Sequence, residues 1–575
     1  MRHVFSTLAE LFDYSTATYS KRMVSDYVDG GARYTFSSFR EKCDWLSGLL
    51  STFGINASDK IAILSENQPN WAVAFFAITT SGRIAVPMLP EVSPNEVENI
   101  LHHSDAKAIF VSRKQISKIS SETLAQLQLV IDISTFTLIK ADDSKYTCDG
   151  RTQRPDPMDI AAIIYTSGTT GNAKGVMLSH RNFCANVLEA WYAHPVYRKD
   201  VFLSILPLAH TYEMSIGMIY PFSTGSSVYY IQKLPTPTIL TQALAKIRPT
   251  TILSVPLIIE KVINHKVLPT IAASRFLTHL EKHLPFLLHF LVGRKLMKQF
   301  GGRIRFFGIG GSKLDIQVET FLRKIRFPYA IGYGLTETAP LICDAGPKRT
   351  HLGSTGTASH QVSVRLADVN PETGIGELQV KGPNVMLGYY KDYRRTLDVM
   401  TPDGWFRTGD MASTDKKKRY YIHGRSGNVI IGSSGENIYP EEIESVINNM
   451  ENVNESLVIS RSGQLVALVQ LIDGVIDWDL EGEDRFIENM EKRRKELKDA
   501  VNAKVSQFLK IKDVEFMKEP FNKTATHKIR RFLYQESQGN KENKESRTDS
   551  MNGSKNKNDN NRKDNGHKED NKPLA

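Results

Sequence analysis

Residues 163–183 read IIYTSGTTGNAKGVMLSHRNF, an apolar run that breaks into Thr, Ser and Gly around one lysine, Lys174. Small residues such as Gly168 let backbone N–H groups converge on an anion. The hydroxyls of Thr166, Ser167, Thr169 and Thr170 and the Lys174 ammonium add further donors, so the string suits phosphate oxygens. It is not a Walker loop, because Lys174 is followed by Gly175 where that pattern needs Ser or Thr. The spacing predicts a buried strand running into the loop, with a helix after it. A plain flexible connection is the alternative for any Gly-rich stretch, and the length and particularity of this one weigh against it.

The string resembles the phosphate loop of the adenylate-forming enzymes, a family of acyl- and aryl-CoA synthetases, peptide-synthetase adenylation domains and firefly luciferase. Downstream, IGYGLTETAP at 331–340, GWFRTGD at 404–410, GRSGNVIIGSSGENIYPEEIE at 424–444 and NKTATHKIRR at 522–531 are similar to four further motifs of that family, in its order. With DKIAILSENQPNW at 59–71 the likeness spans about residues 5–534. The fold it implies is α/β. A large N-terminal domain, 1–425, combines helix-covered sheets with a β-rich subdomain, and a smaller, mobile α+β cap covers 426–535.

The resemblance also implies roles. Thr166, Ser167, Gly168, Thr169, Thr170 and Lys174 hold the β- and γ-phosphates of ATP. Thr336 donates to a phosphate oxygen, and Glu337 is the ligand of Mg2+, a hard cation that prefers carboxylate and phosphate oxygens. Tyr333 stacks on the adenine, while Gly311, Ser312 and Gly334 line the nucleotide and acyl sites. Asp410 accepts from the ribose hydroxyls, and Arg425 reaches the ribose or a phosphate. Lys528 is the catalytic cation, set where the acyl carboxylate meets the α-phosphate. His210, in LPLAHTYE, stands near that carboxylate with Glu213 as its partner; a satisfied core histidine is the equal alternative. Gly435 belongs to the loop 432–437 that serves the thiol acceptor, coenzyme A. Three positions depart from the family pattern: Gly427, Asn437 and His527 replace residues that are usually Asp or Lys, Lys or Arg, and Gly.

Substrate class rests on fewer residues. The Asp by which peptide synthetases bind an amino group is absent near His210. Gly334 stands where acetyl-type relatives carry a Trp, which implies an open route for a long acyl chain. Residues 261–300 resemble an insert of long-chain fatty acyl-CoA synthetases. Their run LPFLLHFLVGRKLMKQF suits either a membrane surface or an ordinary amphipathic helix packed on the core. The implied reaction is ligation of a long-chain fatty acid to coenzyme A with ATP, and acyl carrier protein is the alternative acceptor. A non-catalytic scaffold is disfavoured by the presence of Lys174, Glu337, Asp410 and Lys528 together.

These side chains need a frame. Short β-rich runs at 61–64, 84–89, 108–112, 127–133, 159–165, 201–206, 227–231, 250–255 and 304–309 alternate with helical stretches, which predicts parallel sheets covered by helices. Such sheets put ligand sites beyond the carboxyl ends of their strands. After residue 355 the pattern becomes strand- and turn-rich. A smaller unit follows Arg425, with a helix from Pro440, strands near 456–472 and a charged helix over 483–509.

The 575 residues are 41% hydrophobic and 24% charged, ordinary for a soluble enzyme. The net charge of +10 is spread along the chain; ATP, coenzyme A and anionic headgroups suit such a surface as well as nucleic acid does, and general solubility explains the charge equally. The family resemblance, with no nucleic-acid substrate, implies that nucleic acid is not a partner. Four scattered cysteines exclude a disulfide framework and fit a reducing compartment. No apolar run reaches spanning length, which predicts a cytoplasmic protein, at most peripheral to a membrane. Residues 536–575, rich in Lys, Asn, Asp and Glu, bury nothing and are read as disordered.

Overall fold

Parallel pairing organises the first half of the chain, as the alternation predicts. The computed structural model describes residues 3–142, 152–167, 173–233, 236–432, 437–480, 484–524 and 528–535. One eight-stranded sheet has a parallel centre made of Lys60–Leu64, Ile84–Met88, Ala106–Val111 and Leu129–Asp132, joined by Ile160–Ser167. Ile84–Met88 and Leu129–Asp132 are buried along their whole length, the pattern of strands covered on both faces. Helix Pro69–Thr79, entirely buried, is one of the covers.

A second, thirteen-stranded sheet is parallel through Ser227–Tyr230, Val201–Ser204, Thr251–Ser254, Phe306–Ile309 and Tyr329–Gly334. It continues antiparallel through Leu341–Ala345 and Gly356–Ala358 into Phe406–Thr414 and Arg419–Arg425. The strand-rich pattern after residue 355 is this extension. Beyond Arg425, helices Pro440–Ile447 and Asp484–Asn502 pack on a three-stranded sheet of Val453–Arg461, Gln464–Leu471 and Asp513–Phe516. Ile443, Val458, Val469 and Val514 form a core of its own there. Strand Arg419–Arg425 ends and the turn Ser426–Asn428 begins at the position where a boundary was expected, and residues on both sides of it belong to one compact unit.

Residues 1–530 cluster as one compact unit. A second unit starts at Arg531 and is described as far as residue 535, with a 3-10 turn over Arg531–Leu533. The segment 536–575 lies outside the described residues. Among the described residues no helix is long and apolar enough to cross a membrane.

The element after the phosphate-type loop is a strand, where a helix was expected. Ile160–Ser167 pairs antiparallel with Ala173–Ser179, Thr166 facing Lys174, so the loop closes a hairpin and does not open a helix. Lys174 therefore sits on a strand. The period explains this: Val176 and Leu178 fall on one buried face while Met177 between them turns to the other. The helix, His180–Ala193, starts one strand later, where Ser179 and Asn182 form a capping box.

That helix carries a buried polar ridge. Asn182, Asn186 and Glu189 follow at spacings of four and three, the neighbours on one helix face. Asn182 donates to the carbonyls of Pro383 and Val385, both at 2.8 Å. Asn186 donates to the Thr338 carbonyl at 3.0 Å and accepts from the Leu341 amide at 2.8 Å. The turn that presents Glu337 is thus anchored from behind. Replacing Asn186 by Ala should orphan two buried backbone groups and destabilise the protein by about 2–4 kcal/mol, readable in thermal or denaturant unfolding. An Asn186→Ala protein as stable as the wild type would show that the anchor carries no load.

Candidate active site

Three strand ends deliver the central group. Lys174 lies on the hairpin, Glu337 on the 3-10 turn Thr336–Thr338 after Tyr329–Gly334, and Tyr389 on the short strand Gly388–Tyr389 that pairs with Met177 and Val176. Lys174 Nζ is 3.1 Å from Glu337 Oε1 and 2.9 Å from the Tyr389 hydroxyl, which donates to Glu337 Oε1 at 2.9 Å. Burial alone would raise the Glu337 carboxyl's pKa, but the Lys174 charge, a backbone hydrogen bond and the hydrogen bonds of Lys174 and Tyr389 together outweigh it and hold it below the usual range. The hydroxyl of Thr166, opposite Lys174, is buried and has no hydrogen-bond partner among the described residues, an acceptor-seeking donor on the strand that leads into the loop. Ser167 ends its strand, and Gly168, Thr169, Thr170 and Gly435 lie outside the described residues, as does His527.

A second group is built by cross-strand pairing. Asp410 and Arg425 stand directly opposite each other, with Arg425 Nε 2.8 Å from Asp410 Oδ1. The Tyr333 hydroxyl donates to Asp410 Oδ2 at 2.6 Å, and Arg425 Nη1 donates to the Thr408 carbonyl at 2.8 Å. Each carboxylate oxygen thus keeps an acceptor site, which is what a vicinal diol needs. Burial raises the Asp410 pKa despite Arg425 and Tyr333. For Arg425 burial acts against the charge, and Asp410, Tyr333 and Glu337 more than restore it.

Lys528 lies within electrostatic range of both groups. Its segment folds on itself: the Thr524 amide donates to the Lys528 carbonyl at 2.8 Å and the Lys528 amide to the Thr524 hydroxyl at 3.2 Å. Arg530, two residues on, meets Glu96 at 3.2 Å and ties the segment down. Lys528 keeps solvent-accessible surface, yet the groups crowding its ammonium displace enough water to lower its pKa. Arg425 lowers it further, and Asp410 and Glu337 oppose the shift. His210 feels the same lysine. Burial first, and the Lys528 charge second, bring its pKa down to about 4, so the imidazole is neutral at pH 7. Glu213 does not partner it. That carboxyl turns inward, Gly217 leaves room beside it, and burial pushes its pKa up to about 8.

Beside this cluster lies an apolar cavity of about 40 Å3, walled by Tyr212, Ile216 and Tyr220 on one side and Phe306, Gly308 and Gly332 on the other. The expectation that Gly334 opens this space is corrected. A Cβ on Gly334 would fall 1.7 Å from the Pro340 carbonyl oxygen, because the Thr336–Thr338 turn folds back against the strand. Gly332, one strand period earlier, lines the cavity. Gly311 has φ +91° just past Phe306–Ile309, and it and Ser312 are exposed at that strand's carboxyl end. Thr336 is half-buried at the start of the Glu337 turn.

The donors fit a hard cation sparingly. Glu337 is ionised and buried, and among the described residues no cluster of three or more His, Cys, Asp and Glu forms. One carboxylate leaves most of a coordination shell to water and phosphate oxygens, the usual way of holding Mg2+. Tyr389 and the Asn182–Asn186 ridge are the parts that sequence reasoning missed. The aromatic pair in LGYYKD at 387–392 was the only local signal for Tyr389.

Residues 12–390 match the family described as AMP-binding enzyme. A peroxisomal long chain acyl-CoA synthetase 6 of Arabidopsis thaliana is 31% identical over 75% of this chain and 67% of its own. A chloroplastic long-chain-fatty-acid–[acyl-carrier-protein] ligase, AEE15, of the same plant is 28% identical over 80% of this chain and 75% of its own. Among solved structures, ATP-bound MatB from Rhodopseudomonas palustris superposes with a TM-score of 0.72 at 22% identity, over 92% of this chain and 98% of its own, which shows a shared fold.

The two glycines give opposite expectations. Gly334→Ala should overpack the turn and cost about 1–3 kcal/mol. Gly332→Ala should be close to neutral, since its added methyl meets the Leu341 side chain at 3.5 Å and the Cys343 carbonyl oxygen at 3.9 Å, both ordinary contacts. Thermal unfolding of both variants checks this, and equal melting would refute the assignment of Gly334 to a backbone contact.

Proposed function

The chain belongs to the AMP-binding, adenylate-forming enzyme family, and on that premise we propose that it ligates a long-chain fatty acid to coenzyme A. A carboxylate oxygen of the acid attacks the α-phosphorus of ATP, the bond to the β-phosphate oxygen breaks, and pyrophosphate leaves. The thiol sulfur of coenzyme A then attacks the acyl carbon of the resulting acyl-AMP, forming the thioester and releasing AMP and a proton. The observation that carries this reading is the geometry that gathers Lys174, Glu337 and Tyr389 and pairs Asp410 with Arg425, with Lys528, from the C-terminal part of the chain, in electrostatic range of Glu337, Asp410, Arg425 and His210.

Each side chain has a task in this scheme. Two anions must approach, so catalysis is mostly positioning and charge neutralisation. Lys528 balances the charge between carboxylate and α-phosphate, with a depressed pKa that marks a partly dehydrated ammonium. Lys174 and Thr166 face the β- and γ-phosphates with Ser167, Gly168, Thr169 and Thr170, while Thr336 donates to a phosphate oxygen. Asp410 takes the ribose hydroxyls beside Arg425, Tyr333 packs on the adenine, and Gly311, Ser312 and Gly334 border the nucleotide. Glu337 would hold Mg2+, which supplies neutralisation of the departing pyrophosphate. Neutral His210 adds no cation to compete with Lys528 and orients the carboxylate. Gly435 belongs to the acceptor side.

The long-chain assignment draws on the curated relatives and on the apolar lining of the cavity. Every buried methylene contributes about 0.8 kcal/mol, so an apolar pocket favours long acids. Its 40 Å3 is less than a long tail fills, so the Glu213–Ile219 turn, a π-helical segment, is expected to shift on binding. Likeness to AEE15 favours a second reading, in which the thiol belongs to acyl carrier protein. Mass spectrometry of products from mixed fatty acids, ATP and either coenzyme A or carrier protein separates the two. Acyl-CoA as the product supports the proposal; acyl-carrier protein alone, or no thioester, rejects it.

Lys528→Ala should divide the half-reactions. Acyl-adenylate formation should slow by about 10²-fold or more, whereas thioester formation from synthetic acyl-AMP and coenzyme A should persist. An equal loss in both steps would contradict the role given to Lys528.

A further inference from the structure

Residues 261–300 hold seven Lys and Arg against one acidic residue, Glu281. They fold as the helices Leu268–Ala273, Arg275–His283 and Pro285–Gln299. Ile271, Leu280 and Leu288 face inward as a small core of this layer. Helix Pro285–Gln299 is pressed onto the body at Gly293, where a Cβ would lie 2.4 Å from the Ile325 carbonyl oxygen. The layer also leaves apolar side chains open to solvent: Phe286 is 71% exposed, Phe290 51%, Leu284 56% and, on the preceding helix, Phe276 67%.

The i, i+4 row that begins with these phenylalanines continues in charge, as Phe286, Phe290, Arg294 and Lys298 follow one another along the helix. Arg294 lies over the Phe290 ring at 5.8 Å and Arg326 over the Phe286 ring at 5.9 Å. A groove of about 830 Å3 runs alongside, bordered by Arg248, Arg294, Lys298, Lys324 and Arg326, with no acidic residue in its lining. Single exposed apolar residues are ordinary on a protein surface. Here Phe286 and Phe290 stand on the wall of a groove whose charged residues are all cationic, with Leu284 and Phe276 also exposed on this layer, and that combination selects its occupant.

We propose that this face docks on an anionic lipid bilayer, with Phe286 and Phe290 entering the headgroup–acyl boundary and the five cations of the groove bound to lipid phosphates. An acidic protein would satisfy the cations but offers nothing in particular to four solvent-exposed apolar side chains on adjacent helices, whereas a bilayer supplies hydrocarbon and anionic charge at adjoining depths. The proposal needs no assumption about the acid or the acceptor, and its test involves neither.

The full chain is sedimented with phosphatidylcholine vesicles containing phosphatidylglycerol, and with phosphatidylcholine vesicles alone. Binding to the anionic vesicles that falls with added salt is expected. Arg294→Gln with Lys298→Gln should lower partition about 30-fold, and Phe286→Ser with Phe290→Ser should also weaken it, both with unchanged melting temperature. Hydrogen exchange of the unmodified chain provides a readout free of folding artefacts, since vesicles should protect residues 276–298. Equal partition into neutral vesicles, variants that bind like wild type, or protection confined to other segments would overturn the proposal. So would capture by soluble acidic carrier protein, lost in the Gln variants, with no vesicle binding.

Discussion

Lys174 and Glu337 are 163 positions apart in the chain and meet at 3.1 Å with little water around either, the lysine side chain 24% and the carboxylate 11% exposed. Removing one partner of a buried pair leaves an uncompensated charge, typically at a cost of about 3–5 kcal/mol. The hairpin, the turn after Tyr329–Gly334 and the strand Gly388–Tyr389 are therefore held in one arrangement by a few polar atoms. The rest of the molecule supports that arrangement. Asn186 fixes the turn from behind, and Asn182 holds the carbonyls of Pro383 and Val385 on the approach to Tyr389.

The pair also shapes the chemistry proposed for the site. Lys174 keeps Glu337 ionised where burial would protonate it, so a hard oxygen donor persists at neutral pH. Asp410 and Arg425 repeat the device across two antiparallel strands, with Tyr333 as the third member. Lys528 is the contrasting element, a cation on a short folded segment that has Arg425 as a repelling neighbour and Asp410 and Glu337 as attracting ones. An anionic group arriving between these cations would relieve that repulsion. This is the physical content of preorganisation here: the donors are already gathered where negative charge is to converge.

The sequence disclosed the frame through periodicity. Buried runs such as Ile84–Met88 and Leu129–Asp132 have no polar face, and only a sheet covered on both sides explains them. Motif order led to Lys174, Glu337, Asp410, Arg425 and Lys528, which the fold brings together. Three features were hidden for physical reasons. The hairpin after the phosphate-type loop looked helical because Gly175 and Met177 blur a five-residue alternation. Tyr389 and Asn186 act through partners distant in sequence, and no local pattern marks such contacts. Gly334 looked like an opening because a missing side chain suggests space, whereas the Pro340 carbonyl fills that space and Gly332 borders the cavity.

The central claim is that these gathered charges drive attack of a fatty carboxylate on the α-phosphate of ATP, before any thiol takes part. Isotope exchange between labelled pyrophosphate and ATP measures that step alone. The account predicts exchange that requires the fatty acid and divalent cation, proceeds without coenzyme A or carrier protein, and collapses in Lys174→Met. Exchange absent until a thiol is added, or release of ADP in place of AMP, would contradict it.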